Sequence, residues 1–347
     1  MKLRIPFFLY LLILVFSCKK QDIISPNIPS TFAAGDFILN EGTFNFGNAS
    51  LDFYDFKKDS LYENIFETIN QKKLGDVAQS LVVNKKYVLI VVNNSNKIEV
   101  LDRNTLKIIR TIEGFGSPRY AHWIDSSRVL VTELYNKKVH IVDIEKGSIE
   151  KSIDSYGWTE KMVEKDNKIW IQVLKQPSEA NGEYGFMIFD KTSQSMISTK
   201  LNDEPISFVM SDSHLWYLAK RKDGTYYLGG NHLTTFDVIT NPIELGNQAP
   251  SSLQVFNQDL YFLQGKKLWK TNISQPNATL TKTLHIDLPS SSNLYSMSIH
   301  AGNQKIFITD AKDYVSKGDV HIYSLDGNLI KKLQAGIIPN QVVEVND

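Results

Sequence analysis

The segments Ile98-Glu99-Val100-Leu101-Asp102 and Val139-His140-Ile141-Val142-Asp143 are two copies of one pattern, a short apolar run that ends in aspartate. Such a run is typical of a strand that stops at a turn, because the aspartate side chain accepts hydrogen bonds from nearby backbone amides. Five further copies, ending in Asp or once in Asn, lie at residues 51–55, 186–190, 233–237, 268–272 and 320–326. The average spacing of about 45 residues indicates seven repeats of the length of a propeller blade.

Each of these runs is preceded by a second apolar run, and six of the seven pairs have a third, innermost strand ahead of them. The first repeat has none, but Gln341-Val342-Val343-Glu344-Val345 at the other end of the chain supplies one. The sequence therefore predicts an all-β, seven-bladed β-propeller whose ring is closed by the C-terminal strand joining the first blade. A pair of β-sandwiches is the alternative, and it leaves the displaced strand unexplained.

Composition restricts the function classes. The chain has 347 residues, of which 42% are hydrophobic, with 38 basic against 38 acidic residues. That apolar fraction excludes a disordered chain. The balanced charge argues against a nucleic-acid partner, because phosphate binding needs clustered Lys and Arg.

The N-terminus has the features of a lipoprotein signal. Lys2 and Arg4 precede a twelve-residue apolar run, and residues 15–18 (Val-Phe-Ser-Cys) are similar to a lipobox. Twelve residues are too few to span a bilayer, so the run predicts a cleaved secretory signal. We predict a signal peptide at residues 1–17, lipidation of Cys18 with a tether at 18–34, and the propeller at 35–347. A plain signal peptide with an incidental Cys18, the only cysteine, is the alternative.

Chemistry is expected in the loops on one face of the ring, the mouth face. There, the connections between blades lie beside the connections between the second and third strands. These loops are rich in amides and aromatics and suit a large, roughly neutral ligand, although Asn and Gly are also ordinary turn residues. Longer loops are predicted at 175–184 and 220–231. The candidate ligand-binding residues are Phe44, Phe46, Asn48, Gln79, Asn94, Arg119, Tyr135, Trp158, Tyr184, Tyr226 and Tyr295.

Several stretches also resemble one known family. They are Gly35-Asp36-Phe37-Ile38-Leu39-Asn40-Glu41-Gly42, Gly47-Asn48-Ala49-Ser50-Leu51, Leu74-Gly75-Asp76-Val77-Ala78-Gln79-Ser80, Val92-Asn93-Asn94-Ser95-Asn96-Lys97-Ile98 and Gly116-Ser117-Pro118-Arg119-Tyr120. They are similar to motifs of a Bacteroidota surface lipoprotein family with YncE-like seven-bladed propellers, which includes BtuG-type cobalamin-binding proteins. The resemblance implies capture of cobalamin or another corrinoid as cargo, delivery to a TonB-dependent transporter, and a lipid-anchored position on the outer membrane. It is dense over residues 35–165, and beyond them only the blade pattern supports it.

An enzyme is the weaker interpretation. The seven histidines are scattered without the spacing of a zinc site, and no Gly-x-Ser-x-Gly elbow occurs. We therefore predict no catalytic residue, no metal and no cofactor. Two alternatives stay open: an interaction scaffold of the cell envelope, and a metal-dependent propeller hydrolase or lyase. Such an enzyme could gather Glu41, Asp76, Glu133 and Asp310 from separate blades at the mouth and hold a hard cation there.

Overall fold

The computed structural model describes residues 28–29, 31–179, 181–212, 214–238, 241–275, 282–289 and 292–345. The predicted signal peptide and Cys18 lie outside these residues. The strands in this part of the chain are β1 (Gly35–Asn40), β2 (Ser50–Asp55), β3 (Ser60–Tyr62), β4 (Ala78–Val83), β5 (Tyr87–Val92), β6 (Lys97–Asp102), β7 (Ile108–Glu113), β8 (Pro118–Trp123), β9 (Arg128–Glu133), β10 (Lys138–Asp143), β11 (Ser148–Asp154), β12 (Trp158–Lys165), β13 (Lys168–Leu174), β14 (Tyr184–Asp190), β15 (Met196–Leu201), β16 (Glu204–Ser211), β17 (His214–Lys220), β18 (Tyr226–His232), β19 (Ile243–Gly246), β20 (Pro250–Phe256), β21 (Asp259–Gln264), β22 (Lys267–Asn272), β23 (Thr283–Asp287), β24 (Leu294–His300), β25 (Lys305–Asp310), β26 (Lys317–Ser324), β27 (Leu329–Ile337) and β28 (Pro339–Val345).

These strands form seven antiparallel sheets of four strands each. Six sheets are built from four consecutive strands, and the seventh has the order β28-β1-β2-β3. In that first blade β28 pairs with β1 in the register Val343 to Phe37 and Val345 to Gly35. The predicted seven-bladed propeller, closed by its C-terminal strand, is confirmed. Blades are numbered below from this first one.

The described residues form one apolar core cluster for each of the seven gaps between neighbouring blades. Burial of the apolar face of one blade against the next is the main stabilising contribution in such a ring. Large aromatic side chains are buried in these gaps: Trp170, Trp216, Tyr261 and Phe307 are each exposed by less than 5%. Trp269 is half-buried against the cluster between blades 5 and 6.

One strand prediction is wrong. In blade 5 the third strand is β18, and not residues 233–237 as the recurring Asp suggested. The predicted loop at 220–231 therefore shrinks to the few residues between β17 and β18. The pattern misleads because β18 contains Gly229, where a Cβ atom would lie 3.0 Å from the Tyr227 ring and 3.3 Å from the Tyr217 ring. Glycine is unfavourable in strands generally, but here it makes room for two tyrosines.

The chain enters the ring on the face opposite the mouth. β1 is the second strand of its blade, so its first residue lies at the end remote from the mouth loops. Phe32 is 3% exposed and its ring packs at 5.1 Å from that of Phe53, although it precedes the predicted boundary at residue 35. Its carbonyl accepts a hydrogen bond from Arg103, which follows β6 on the same face, at 2.7 Å. The propeller packing therefore includes Phe32.

A single short helix, α1 (Ile65–Asn70), occurs in the described part of the chain, between β3 and β4. It buries Ile65 and Phe66 against blade 1. None of the helices formed by the described residues is long and apolar enough to cross a bilayer.

Candidate functional site

The innermost strands of the blades surround a central channel with a volume of about 650 Å³. Each of these seven strands has an irregular register close to its mouth end, for example between Pro118 and Ala121 in β8 and between Thr159 and Met162 in β12. A bulge places two residues opposite one and changes the direction of their side chains. The seven bulges thus place a ring of side chains at one level of the channel.

The polar part of this ring centres on Arg119. Its Nε atom lies 3.1 Å from both carboxylate oxygens of Glu160 in the next blade, and Nη1 donates to the Gln79 side chain in the blade before. Gln79 in turn donates to the Tyr120 hydroxyl at 3.3 Å. Burial raises the pKa of Glu160, and the Arg119 guanidinium opposes that rise. Three neighbouring blades are therefore linked across the channel wall by charge-assisted hydrogen bonds.

Lys161 follows Glu160 in the same bulge, but its side chain has different surroundings. It is exposed to the channel, and its ammonium group has no hydrogen-bond or ion-pair partner among the described residues. The surrounding protein lowers the pKa of Lys161, because desolvation disfavours the charged form. Among the described residues that line the channel, Lys161 is therefore a donor without a hydrogen-bond or ion-pair partner.

A second group of hydrogen bonds lies where the ring closes. The Tyr295 hydroxyl of blade 7 donates to Glu41 of blade 1 at 2.5 Å. Asn340, in β28, donates to the Gln79 carbonyl of blade 2 at 2.7 Å, and the Gln341 side chain accepts from the Leu81 amide at 2.8 Å. Burial raises the pKa of Glu41. The first blade, in which the ring closes, is thus hydrogen-bonded to both of its neighbours, blade 7 and blade 2. We call this region the closing seam.

Above the channel, the mouth face has a continuous arc of loops from blade 7 to blade 3. Thr43 of blade 1 donates to the Tyr314 carbonyl of blade 7 at 3.1 Å. Asp76 accepts from the Asn45 amide at 2.9 Å and from the Asn94 side chain at 2.5 Å. Further hydrogen bonds from Asn93 reach the entry of blade 3 at Ser117 and Pro118. These bonds hold the loops in fixed positions relative to one another.

Large apolar side chains are exposed on this arc. Ten such side chains are strongly exposed among the described residues, and five of them lie in the mouth loops of blades 1, 3 and 7. The five are Phe44 (61%), Phe46 (71%), Tyr135 (64%), Tyr314 (44%) and Val315 (65%). The other five lie on outermost strands or, for Val238, on the connection that leads to one. Because exposed apolar surface is unfavourable in water, its concentration on a braced arc indicates a contact surface.

The structure divides the predicted site residues into three groups. Gln79, Arg119 and Tyr295 line the channel, whereas Phe44, Phe46, Tyr135 and Trp158 lie on the mouth face. The Tyr135 and Trp158 rings are in edge contact at 5.9 Å.

The third group consists of residues with other surroundings. Asn48 accepts from the Thr43 amide at 2.8 Å and so closes the blade 1 loop, while Asn94 braces that loop through Asp76. Tyr184 and Tyr226 begin β14 and β18 and are half-buried. Tyr226 was predicted in a loop, which is wrong, because it is a strand residue packed on the core between blades 5 and 6.

Sequence reasoning did not select Tyr120, Glu160, Lys161, Asn340 or Gln341. A usable signal was present at Arg119-Tyr120 and Glu160-Lys161, where two adjacent polar or aromatic residues open an otherwise apolar innermost strand. The exposed Tyr314 and Val315, in the loop between β25 and β26, were not predicted either.

Fold and site together define this protein as a seven-bladed β-propeller with a polar channel and an aromatic mouth face. The chain belongs to the family described as a domain of unknown function (DUF5074), whose model matches residues 34–337. No curated protein matches the sequence.

Solved propellers share the fold at low identity. A quinonprotein alcohol dehydrogenase-like protein from Bacteroides thetaiotaomicron is 14% identical with a TM-score of 0.69, covering 91% of this chain and 79% of that one. The periplasmic gluconolactonase PpgL of Pseudomonas aeruginosa is 10% identical with a TM-score of 0.62, covering 90% and 99%. BamB from Moraxella catarrhalis is 17% identical with a TM-score of 0.52, covering 86% and 82%. At these identities the likeness concerns the fold alone.

Proposed function

We propose that this chain is a lipid-anchored protein of the outer-membrane surface that captures a large, mostly uncharged ligand on its mouth face. Cobalamin or a related corrinoid is the first candidate, and a TonB-dependent transporter is the proposed recipient. The ligand is cargo, so the proposal assigns no cofactor, no catalytic residue and no enzymatic activity. Membership of the BtuG-type lipoproteins is part of the proposal.

The observation that carries the proposal is the arc of exposed apolar side chains on braced loops. Tyr and Phe contribute a large contact area at small cost in conformational entropy, and loops that are already fixed lose little more on binding. A corrinoid has apolar faces that such side chains can contact. Its one phosphodiester charge would complement the unpaired Lys161 in the channel.

Calorimetric titration of the purified protein with cyanocobalamin tests the proposal. The double variant Phe44→Ala/Phe46→Ala should lower the affinity about tenfold or more, because aromatic anchors dominate such contacts. The matched control is Leu329→Ala/Ile330→Ala, which removes two similarly exposed side chains (58% and 52%) from an outermost strand and should leave the affinity unchanged.

Two outcomes would contradict the proposal. If neither heat nor co-elution is observed at micromolar concentrations, cobalamin is not the ligand. If both double variants bind as the wild type does, the ligand does not use the mouth face. The anchor is tested separately, since labelled fatty acid should enter the wild type in cells and not Cys18→Ser.

A further inference from the structure

Blades 3 and 7 carry a buried histidine at the same place in the sheet. His140 is paired with Val131, two residues before Glu133 at the end of β9. In blade 7, His321 is paired with Ile308, two residues before Asp310 at the end of β25. The two blades therefore offer a comparison within one molecule, in which the carboxylate is a glutamate in one case and the shorter aspartate in the other.

The histidine of blade 3 has a full set of partners. Its Nε2 atom lies 2.6 Å from Oε2 of Glu133, and its Nδ1 atom lies 2.9 Å from the Ser152 hydroxyl. Both ring nitrogens are thus satisfied by the protein, as buried polar atoms usually are.

The histidine of blade 7 lacks this arrangement. His321 is 5% exposed, and its Nε2 atom is buried with no hydrogen-bond partner among the described residues. The Ser152 position is occupied by Lys332. The carboxylate of Asp310 instead accepts from the backbone amides of Asn293 and Lys312.

A second carboxylate completes the cluster. Asp319, two residues before His321 on β26, is 2% exposed, and Asp310 is 5% exposed. One potential ligand atom from each of Asp310, Asp319 and His321 lies within 4.8 Å of the other two. All three residues line a cavity of about 490 Å³ on the mouth side of blade 7.

We infer that Asp310, Asp319 and His321 form a binding site for a divalent transition-metal ion. A ring nitrogen with two carboxylate oxygens is a ligand set suited to Zn²⁺ and its neighbours, and the cavity leaves room for water at the remaining positions. The metal would occupy the space that the longer Glu133 side chain fills in blade 3.

Two lysines compete for the same carboxylate. The ammonium groups of Lys312 and Lys332 lie 2.8 and 2.7 Å from Asp319. Both side chains keep solvent contact, with exposures of 32% and 54%, so each can turn outward when a cation binds. Removing Lys332 should therefore tighten metal binding, an effect opposite to that expected for a purely structural ion pair.

The test measures zinc uptake by the purified full chain after treatment with a chelator, with calorimetry for the affinity. Wild type should bind one zinc per chain in this cavity. Asp310→Glu, which recreates the blade 3 pair, should weaken binding about tenfold or more and raise the melting temperature of the metal-free protein. Lys332→Met should bind zinc more tightly than wild type.

Two histidines that lie next to each other in blade 5 provide the control. The rings of His214 and His232 lie 4.7 Å apart across β17 and β18 and could hold zinc adventitiously. His214→Asn/His232→Asn should keep the wild-type affinity. The inference is overturned if wild type takes up no zinc at micromolar concentrations, if Asp310→Glu binds as wild type, or if uptake is lost with the blade 5 pair.

Discussion

Tyr295 of the last blade donates its hydroxyl hydrogen to the carboxylate of Glu41 in the first blade, at 2.5 Å. The two residues are 254 positions apart in the chain and adjacent in the ring. A hydrogen bond to a charged group contributes more than one between neutral groups, and this one joins the two sides of the closing seam.

Removing this hydroxyl should therefore destabilise the ring. We expect Tyr295→Phe to lower the free energy of unfolding by about 1 to 3 kcal/mol, because Glu41 would lose its partner in a half-buried place. Urea unfolding measures the change. Tyr226→Phe is the matched control, since that half-buried hydroxyl has no hydrogen bond among the described residues, and it should change stability little. Equal effects of the two variants would contradict the role given to the seam.

Substitution of two adjacent channel residues should affect different properties: stability for Glu160 and ligand binding for Lys161. Glu160→Gln should cost about 1 to 3 kcal/mol of stability, because it leaves the Arg119 guanidinium without its carboxylate. Lys161→Met should not reduce stability, since no partner is lost, but it should weaken binding of a ligand that carries a negative charge. Unfolding and calorimetry on both variants check this, and a large loss of stability in Lys161→Met would mean that the ammonium has a structural role.

The mouth loop of blade 1 contains two glycines, and substitution of Gly42 should destabilise the protein more than substitution of Gly47. Gly42 has φ +78°, and a Cβ atom there would lie 2.6 Å from Oδ1 of Asn48 and 2.7 Å from the Ala49 nitrogen. Gly47 has φ +61°, and a Cβ atom there would meet nothing within 4 Å. Gly47→Ala should therefore cost only the backbone strain of about 1 to 2 kcal/mol, and Gly42→Ala clearly more. Unfolding measurements that rank the two variants the other way would show that the loop is not held as described.

Asp52 should make stability depend on pH. Burial raises the pKa of this carboxyl to about 6, against donated hydrogen bonds from Asn64, Asn40 and Gly336 that favour the charged form. With the folded value above the unfolded one, its stabilising contribution is complete below about pH 4 and is lost as the pH rises through 6. Relative to Asp52→Asn, wild type should lose about 3 kcal/mol of stability from pH 4 to pH 7. A difference between the two that stays constant with pH would refute the assignment.

The sequence predicts the blades because each is a local repeat of period-2 strands and turns. It even predicts the closing strand, since Gln341 to Val345 has no other place in the count. β18 is not predicted because it contains Gly229, which is unusual within a strand. The glycine leaves room for the rings of Tyr217 in β17 and Tyr227 in β18, and this packing cannot be inferred from the local sequence pattern. α1 escapes because six residues are too few for a helical period.

The channel ring is harder to predict for a related reason. A bulge is a property of the pairing between two strands, so the direction of Arg119 and Lys161 becomes known only when both strands are placed. Phe44, Phe46 and Tyr135 could be found because an aromatic residue in a turn has no local structural reason to be there.

The position of Phe32 gives the molecule a polarity. The chain enters through the face on which Arg103 holds the Phe32 carbonyl, and every mouth loop lies at the other end of the channel. A lipid on Cys18, as proposed above, would attach the protein to the bilayer on the side of the entry face. The aromatic arc lies on the opposite face. The anchor and the contact surface would then lie at opposite ends of the channel.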